Sequence, residues 1–582
     1  MPYIKRKKIM ENKQKTAYFL ILFFLLSLIF LLFYGRLGSF FFDISREVYI
    51  PQAVNEGSVL YKDIFNVYAP LGYQLNAFIT AVFGNSLNMF YILGFINSVF
   101  ILGALYLIAC LFLNVRTAAV FCIFIITACI FSNFTADYIF PYSYSMIYAL
   151  NAFLWALLSL LYFVKTGRKL FLYASFLLFG ASIAFKYEFI LFGLVLAFFF
   201  FKNTNLKEKC ICLAAFIFIP FLSFFDLCLK GVNIEDMQNA ANYMIMLSKS
   251  ESVKNLYSYL GFIPSLYSLK ILLLSLGYFL LSAALLLIPF LLKEKFSALN
   301  GFKRAVFNIL NTALFAGCIF IVFKCFASEY NFSWLGLFSV LILIYMLIKR
   351  RLNDKLFLFL VISTVIAGVK CIFNVSLSSY GNYYMPLFLL CLIVFVNAAV
   401  PEDKRSITEK CTVYLLGTMS VIYLFFNLNN TFIYHTDLIK TDKGIFYADK
   451  NYAAVINDVI TFVKTETKPE DKVLILPDGA MINYFTDRKS DNKYYYLTPP
   501  NVEIFGAENI IKDLKKNPPK YIVIHPVMYF DYLQTSFCSS FGSEICAFVK
   551  DNYNLERIFK NEQTKFSMKV YKKRDSLTAP RA

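Results

Sequence analysis

The sequence predicts a polytopic α-helical membrane protein with about 13 transmembrane helices and a C-terminal extracytoplasmic α/β domain. Three observations predict it. Of the 582 residues, 59% are hydrophobic and only 16% are charged, a balance unlike that of water-soluble chains. The apolar residues fall in long runs separated by short basic clusters. The composition turns charged and mixed only after about residue 430.

The first run, Ala17 to Tyr34, follows Lys5-Arg6-Lys7-Lys8, and no small-residue cleavage site follows it. It reads as a retained signal anchor. A bilayer core takes about 20 apolar residues per helical crossing. On that measure the next spans lie at 87–113, 117–134, 146–164, 170–186, 188–201, 210–229, 271–292, 305–327, 331–348, 356–373, 384–400 and 411–428. The span at 188–201 is short and reads as a broken helix.

With the amino terminus inside, the cytoplasmic loops include Lys165–Lys169, Lys202–Lys209, Lys293–Arg304, Lys349–Lys355 and Lys404–Lys410, all rich in Lys and Arg. The alternate loops 35–86, 134–145, 231–269 and 374–383 carry few basic residues. This bias obeys the positive-inside rule along the whole chain. It accounts for the formal charge of +19 as a topology signal rather than a nucleic-acid surface, so no nucleic-acid partner is expected. The expected location is a bacterial inner membrane, with a membrane domain over 1–430 and an extracytoplasmic soluble domain over 431–582.

In that last domain Asn451–Lys464 and Ala507–Lys516 read as helices, and Val473–Leu476 and Tyr521–Ile524 as buried strands. The alternation predicts an α/β unit without a Gly-rich phosphate loop or nucleophile motif. Of thirteen cysteines, only Cys538 and Cys546 lie in polar sequence. An oxidising compartment would allow them to pair.

The loop after the first span begins Phe42-Asp43-Ile44-Ser45-Arg46-Glu47 and ends Tyr68-Ala69-Pro70-Leu71-Gly72-Tyr73-Gln74-Leu75-Asn76-Ala77. Taken as residue types, Asp43 and Arg46 suit a structural ion pair at a helix end, or a solvated loop, better than a general base with a cation beside it. The loop resembles the first periplasmic loop of the GT-C glycosyltransferases, especially the protein O-mannosyltransferase and lipid A aminoarabinose transferase branch. That branch shows an Asp, an Arg three residues later, and a Pro-Leu-Gly-Tyr-x-Leu-Asn-Ala stretch, matched here by Asp43, Arg46 and Pro70 to Ala77. The family has a second acid where this chain has Ile44, and its aminoarabinose branch has Glu-Lys where this chain has Val67-Tyr68. The resemblance implies transfer of a sugar from a polyprenyl-phosphate donor to a lipid, glycan or protein acceptor, with inversion. Asp43 would be the general base, assisted by Arg46 and Glu47.

Ionisable groups at the ends of membrane spans usually face a protein cavity. Asp137, Lys186, Glu188, Asp226, Lys324 and Lys370 all map to the predicted outer boundary. A lipid-linked phosphate presents its charge there, and fixed cations would stabilise it as the sugar leaves. Lys186 is the preferred phosphate ligand, since Lys186-Tyr187-Glu188 also resembles a recurring basic position in the family. Lys324, Lys370 and Lys62 follow. Singly, each lysine could equally snorkel to the interface.

Asp137, Tyr142, Glu188, Tyr73, Asn76, Tyr380, Asn382 and Tyr383 offer aromatic and amide groups for sugar or acceptor, although an interfacial aromatic belt explains tyrosines there too. No cofactor is expected. The two histidines, His435 and His525, lack ligand spacing, which leaves only a carboxylate-bound divalent cation at Asp43, Glu47 or Asp137. A lipid-linked polysaccharide polymerase or ligase and a lipid-linked sugar transporter are the competing readings. A transporter should line a path through the bilayer with charge and show inverted repeats, whereas here the charges gather at one face.

Overall fold

The computed structural model describes residues 2–41, 43–260, 262–349, 354–533 and 536–574. Every predicted span falls on a helix. Eight are long and apolar enough to cross a membrane: Glu11–Phe33, Leu87–Ala109, Tyr144–Thr166, Leu206–Leu229, Leu266–Lys295, Gly301–Phe326, Gly381–Ala399 and Glu402–Tyr434. Val115–Ile130, Lys169–Phe185, Phe192–Asn203, Leu335–Ile348 and Lys355–Ala367 are shorter apolar helices on the remaining predicted spans. The chain is an integral membrane protein. Helix is the form in which such segments satisfy their own backbone inside lipid.

Burial separates two kinds of membrane helix. Tyr144–Thr166 is largely enclosed, whereas Leu206–Leu229 and Gly301–Phe326 leave most of their apolar surface open. Ile217, Phe221, Phe225 and Phe320 are among the exposed side chains, as expected where lipid covers them. The span predicted to be a broken helix, 188–201, is a short helix after a turn, and the interruption lies at its junction with the preceding predicted span, at Lys186. That residue is extended after Lys169–Phe185, a turn of 3-10 helix follows over Tyr187–Phe189, and Phe192–Asn203 then resumes.

The first loop is ordered around two short helices that the hydropathy pattern did not separate, Ile44–Asn55 and Leu71–Phe83. The Pro70–Ala77 stretch starts the second of them. Gly72 lies so close to Ser145 that an added Cβ would fall 2.1 Å from its Oγ. At Gly94 a Cβ would fall 1.8 Å from the Ile139 carbonyl oxygen. These two glycines let the loops at this end of the bundle pack against helix backbone, the membrane-protein use of small residues.

Beyond Tyr434 comes a small sheet region. A two-stranded antiparallel ribbon joins β1 (Asp437–Leu438) to β2 (Tyr447–Ala448). A four-stranded mixed sheet has the order β3 (Val473–Leu476), β4 (Tyr521–Ile524), β6 (Ser567–Lys573), β5 (Tyr553–Lys560). The predicted strands are β3 and β4, which run parallel and are buried at every position. The two predicted helices are Lys450–Glu466 and Ala507–Lys516. Cys538 and Cys546 form a disulfide.

The sheet region grips the first loop. Ser45 Oγ donates to Asp478 Oδ1 at 2.6 Å, Ser490 N donates to the Tyr49 hydroxyl at 3.0 Å, and Gln52 Nε2 donates to Asp487 Oδ1 at 3.0 Å. Residues 45, 49 and 52 are spaced by four and three, so they share one face of helix Ile44–Asn55.

Candidate functional site

A cavity of about 200 Å³ lies between the first loop, the third predicted outer loop and the C-terminal domain. Asp43 and Arg46 line it from the start of helix Ile44–Asn55, Glu188 and Lys370 from the ends of membrane helices, and Tyr68 and Tyr380 from the loops between. The helices Ile234–Lys249 and Glu251–Tyr259 line it through Tyr243, Leu247 and Tyr257, and pack against the C-terminal domain, which adds Tyr494, Tyr496 and Tyr532.

Arg46 is the organising cation. Its Nη1 donates to Asp43 Oδ1 at 3.1 Å and its Nε to Glu47 Oε1 at 3.3 Å. Nη2 is buried without a hydrogen-bond partner among the described residues. A buried guanidinium donor left unmade is costly, so a ligand acceptor at that atom would recover energy. The Asp43 side chain keeps 37% of its surface exposed, against 7% for Arg46.

Glu47 is fully buried and does not line the cavity. It accepts from Tyr73 Oη at 2.7 Å and from Tyr144 N at 2.8 Å, besides Arg46. Burial pushes its carboxyl up, and Arg46 opposes that shift. This corrects its expected catalytic role: it anchors Arg46 to the scaffold. Tyr73 is therefore spent on Glu47, and Asn76 Oδ1 accepts from Tyr148 Oη at 2.5 Å. Both are buried away from the cavity, so the Pro70–Ala77 stretch builds the site without lining it.

The other expected residues divide in the same way. Glu188, Lys370 and Tyr380 line the cavity, and Lys370 pairs with Glu188. Lys186 lies one layer behind, 4% exposed. Its Nζ is 3.1 Å from Tyr142 Oη and 3.8 Å from Glu188 Oε1, and 5.3 Å from the Tyr68 ring centroid. Lys186 can thus charge the site, but Arg46, Lys370 and Lys493 are the cations among the described residues that line it.

Asp137 is buried and caps Ile139 N and Phe140 N at 2.7 and 2.6 Å. Burial pushes its carboxyl up to about 8. Asn382 Nδ2 donates to the Cys129 and Ala136 carbonyls, and Tyr383 stacks on Tyr138. All three are corrected from sugar contacts to scaffold. Lys62 and Lys324 are exposed and lie off the cavity, which corrects their expected phosphate role.

Among the described residues no group of three or more His, Cys, Asp or Glu side chains is placed to hold a metal ion. Asp43, Glu47 and Asp137 do not share a site, because the last two are committed to the contacts just given. The residues present do not fit a carboxylate-bound cation at the three positions the sequence offered.

Sequence reading missed the contribution of the C-terminal domain. Tyr496 Oη donates to Asp43 Oδ1 at 2.7 Å across 453 positions of chain. The run Tyr494-Tyr495-Tyr496 in an otherwise charged domain was the available signal. Asp478 also stands near Asp43, with Oδ1 held by Ser45 and Oδ2 buried without a partner among the described residues. Burial, with the Asp43 charge adding to it, pushes its carboxyl up to about 8. Beside it His525, whose Nε2 meets the Asp478 carbonyl, is pushed down to about 4 by burial.

The raised Asp478 carboxyl sets a pH dependence of stability. Between an ordinary aspartate value of about 4 and about 8 the native state holds a proton that the unfolded chain has lost, so stability falls as pH rises through that window. His525 acts oppositely: its native value lies below the unfolded one, so its stabilisation is lost as pH falls from about 6.5 toward about 4. Asp478→Asn keeps a neutral side chain and an acceptor for Ser45, and leaves His525 in place. In detergent-solubilised protein its melting temperature is expected to match wild type near about pH 5 and to exceed it near about pH 8. Parallel curves for the two proteins would show that Asp478 does not carry this proton.

No family model matches the chain, and no curated protein matches it in sequence. Among solved structures it is similar to the oligosaccharyltransferase AglB from Archaeoglobus fulgidus in complex with an inhibitory peptide and a dolichol-phosphate. There the identity is 13% and the TM-score 0.45, over 97% of this chain and 75% of that one. It is also similar to ArnT from Cupriavidus metallidurans bound to undecaprenyl phosphate, at 11% identity and a TM-score of 0.48, over 97% of this chain and 98% of that one. Likeness at this level leaves the activity to be argued from the chain's own residues.

Proposed function

We propose that the protein is a membrane glycosyltransferase that moves a sugar from a polyprenyl-phosphate donor to an acceptor hydroxyl or amine, with inversion, on the side of the membrane that carries the C-terminal domain. One observation carries the reading: a part-exposed carboxylate, Asp43, and a buried guanidinium with an unmade donor, Arg46, face one enclosed cavity at the ends of membrane helices. A base for the acceptor and a ligand for a departing phosphate are the two groups this reaction needs, and a lipid-linked donor brings its phosphate to that depth.

In this reading the free oxygen of Asp43 takes the acceptor proton as the acceptor attacks the anomeric carbon. The bond from that carbon to the phosphate oxygen breaks, and the electron pair leaves with the phosphate. Arg46 Nη2 and Lys370 stabilise the growing negative charge, and Lys186 adds to the field from behind Tyr68. Such fixed cations act most strongly where water is excluded, and the C-terminal domain covers the cavity. Positive-inside bias supports an extracytoplasmic position for this face, and the Cys538–Cys546 disulfide suits an oxidising compartment.

The test is a transfer assay in sealed proteoliposomes, using radiolabelled polyprenyl-phosphate hexoses and pentoses with envelope lipid, glycan and peptide fractions as acceptors. A new glycosidic bond with release of polyprenyl phosphate is the expected result. Movement of labelled lipid between leaflets with no new bond would replace the reading by transport, and products of many residues would replace it by polymerisation.

A further inference from the structure

We propose that Tyr496 of the C-terminal domain is a positioning residue for Asp43, occupying one carboxylate oxygen so that the other faces the acceptor. The inference rests on reading Asp43 as the general base.

Both donors that reach Asp43 converge on the same atom. Arg46 Nη1 and Tyr496 Oη lie 3.1 and 2.7 Å from Oδ1, and no described residue hydrogen-bonds Oδ2. A carboxylate held at one oxygen by a cation and a phenol cannot rotate freely, and its second oxygen is presented in one direction. Fixed presentation of the reacting atom is a large part of what an active site supplies.

Tyr496 is itself held on both sides. Its carbonyl accepts from Asn501 Nδ2 at 2.7 Å, and Leu497 N donates to the Pro477 carbonyl at 2.7 Å, next to Asp478. The face of helix Ile44–Asn55 formed by Ser45, Tyr49 and Gln52 docks on the same domain. One rigid surface therefore sets both the helix that starts beside Asp43 and the phenol that orients its carboxylate.

The experiment compares full-length Tyr496→Phe, Gln52→Ala and Asp43→Asn with wild type in the proteoliposome transfer assay. Tyr496→Phe is expected to lower kcat roughly tenfold or more, the scale of a lost hydrogen bond to a charged group. Its donor KM should stay within about twofold. Gln52→Ala, which loses a docking contact remote from Asp43, should leave kcat near wild type.

A normal rate for Tyr496→Phe, with Asp43→Asn inactive, overturns the positioning role and spares the base. A rate loss matched by Gln52→Ala, or a rise in donor KM in place of the fall in kcat, reduces Tyr496 to a docking residue and also overturns it. Activity in Asp43→Asn, or no transfer by wild type from any of these donors, overturns the parent reading and this one with it.

Discussion

Asp43→Asn is expected to cut sugar transfer by about a thousandfold, within the range that general-base catalysis contributes. Asn has the same shape and still offers Arg46 and Tyr496 an oxygen at the Oδ1 position, but it cannot accept the proton of an attacking hydroxyl. The variant should fold, because Asp43 is a part-exposed residue at the start of a loop helix and Glu47 still compensates the buried Arg46. Yield in the membrane fraction and melting in detergent should therefore stay near wild type. Donor affinity should change little if, as proposed, Arg46 and Lys370 hold the phosphate. The measurement is kcat and donor KM in the transfer assay. A loss smaller than about tenfold would remove Asp43 from the chemistry, because an isosteric amide cannot substitute for a working base.

The membrane part was legible because lipid imposes one rule on every span. A long apolar run has no alternative to helix, and the short helix Phe192–Asn203 showed as a run too short for a full crossing. Asp43 and Arg46 were singled out by the family resemblance of the loop rather than by residue type, and both line the cavity. The division of labour inside the Pro70–Ala77 stretch was not legible. Tyr73 and Asn76 look like sugar-binding residue types, and only three-dimensional contact shows them spent on Glu47 and Tyr148.

Strands β5 and β6 escaped for a different reason. Tyr553–Lys560 buries little beyond its first residue and Phe559, so charged residues fill it and no alternating pattern survives. β3 and β4 are buried throughout and read as continuous apolar runs. Tyr496 illustrates the general limit. Its partner lies 453 positions away, and nothing in local periodicity reports which loop of a C-terminal domain will fold back onto an amino-terminal acid.

Arg46→Lys carries the second large expected effect, and it separates charge from geometry. The substitution retains the positive charge, so buried Glu47 keeps a counter-ion and the fold has no new unpaired acid to accommodate. What it removes is the fork. In wild type one planar group reaches Asp43 through Nη1 and Glu47 through Nε, with Nη2 unpartnered among the described residues. An ammonium has no rigid, divergent set of donors and cannot serve three oxygen acceptors in those directions at once. If Nη2 receives the departing phosphate, Arg46→Lys should lower kcat/KM for the donor about a hundredfold, the scale of losing one donor aimed at developing charge. Polyprenyl phosphate without its sugar should also bind and inhibit more weakly than in wild type. If Arg46 serves only as the structural partner of Asp43 and Glu47, inhibition by that product is unchanged and the remaining loss appears in kcat alone. Product inhibition therefore decides the role of Nη2 whatever the size of the rate effect.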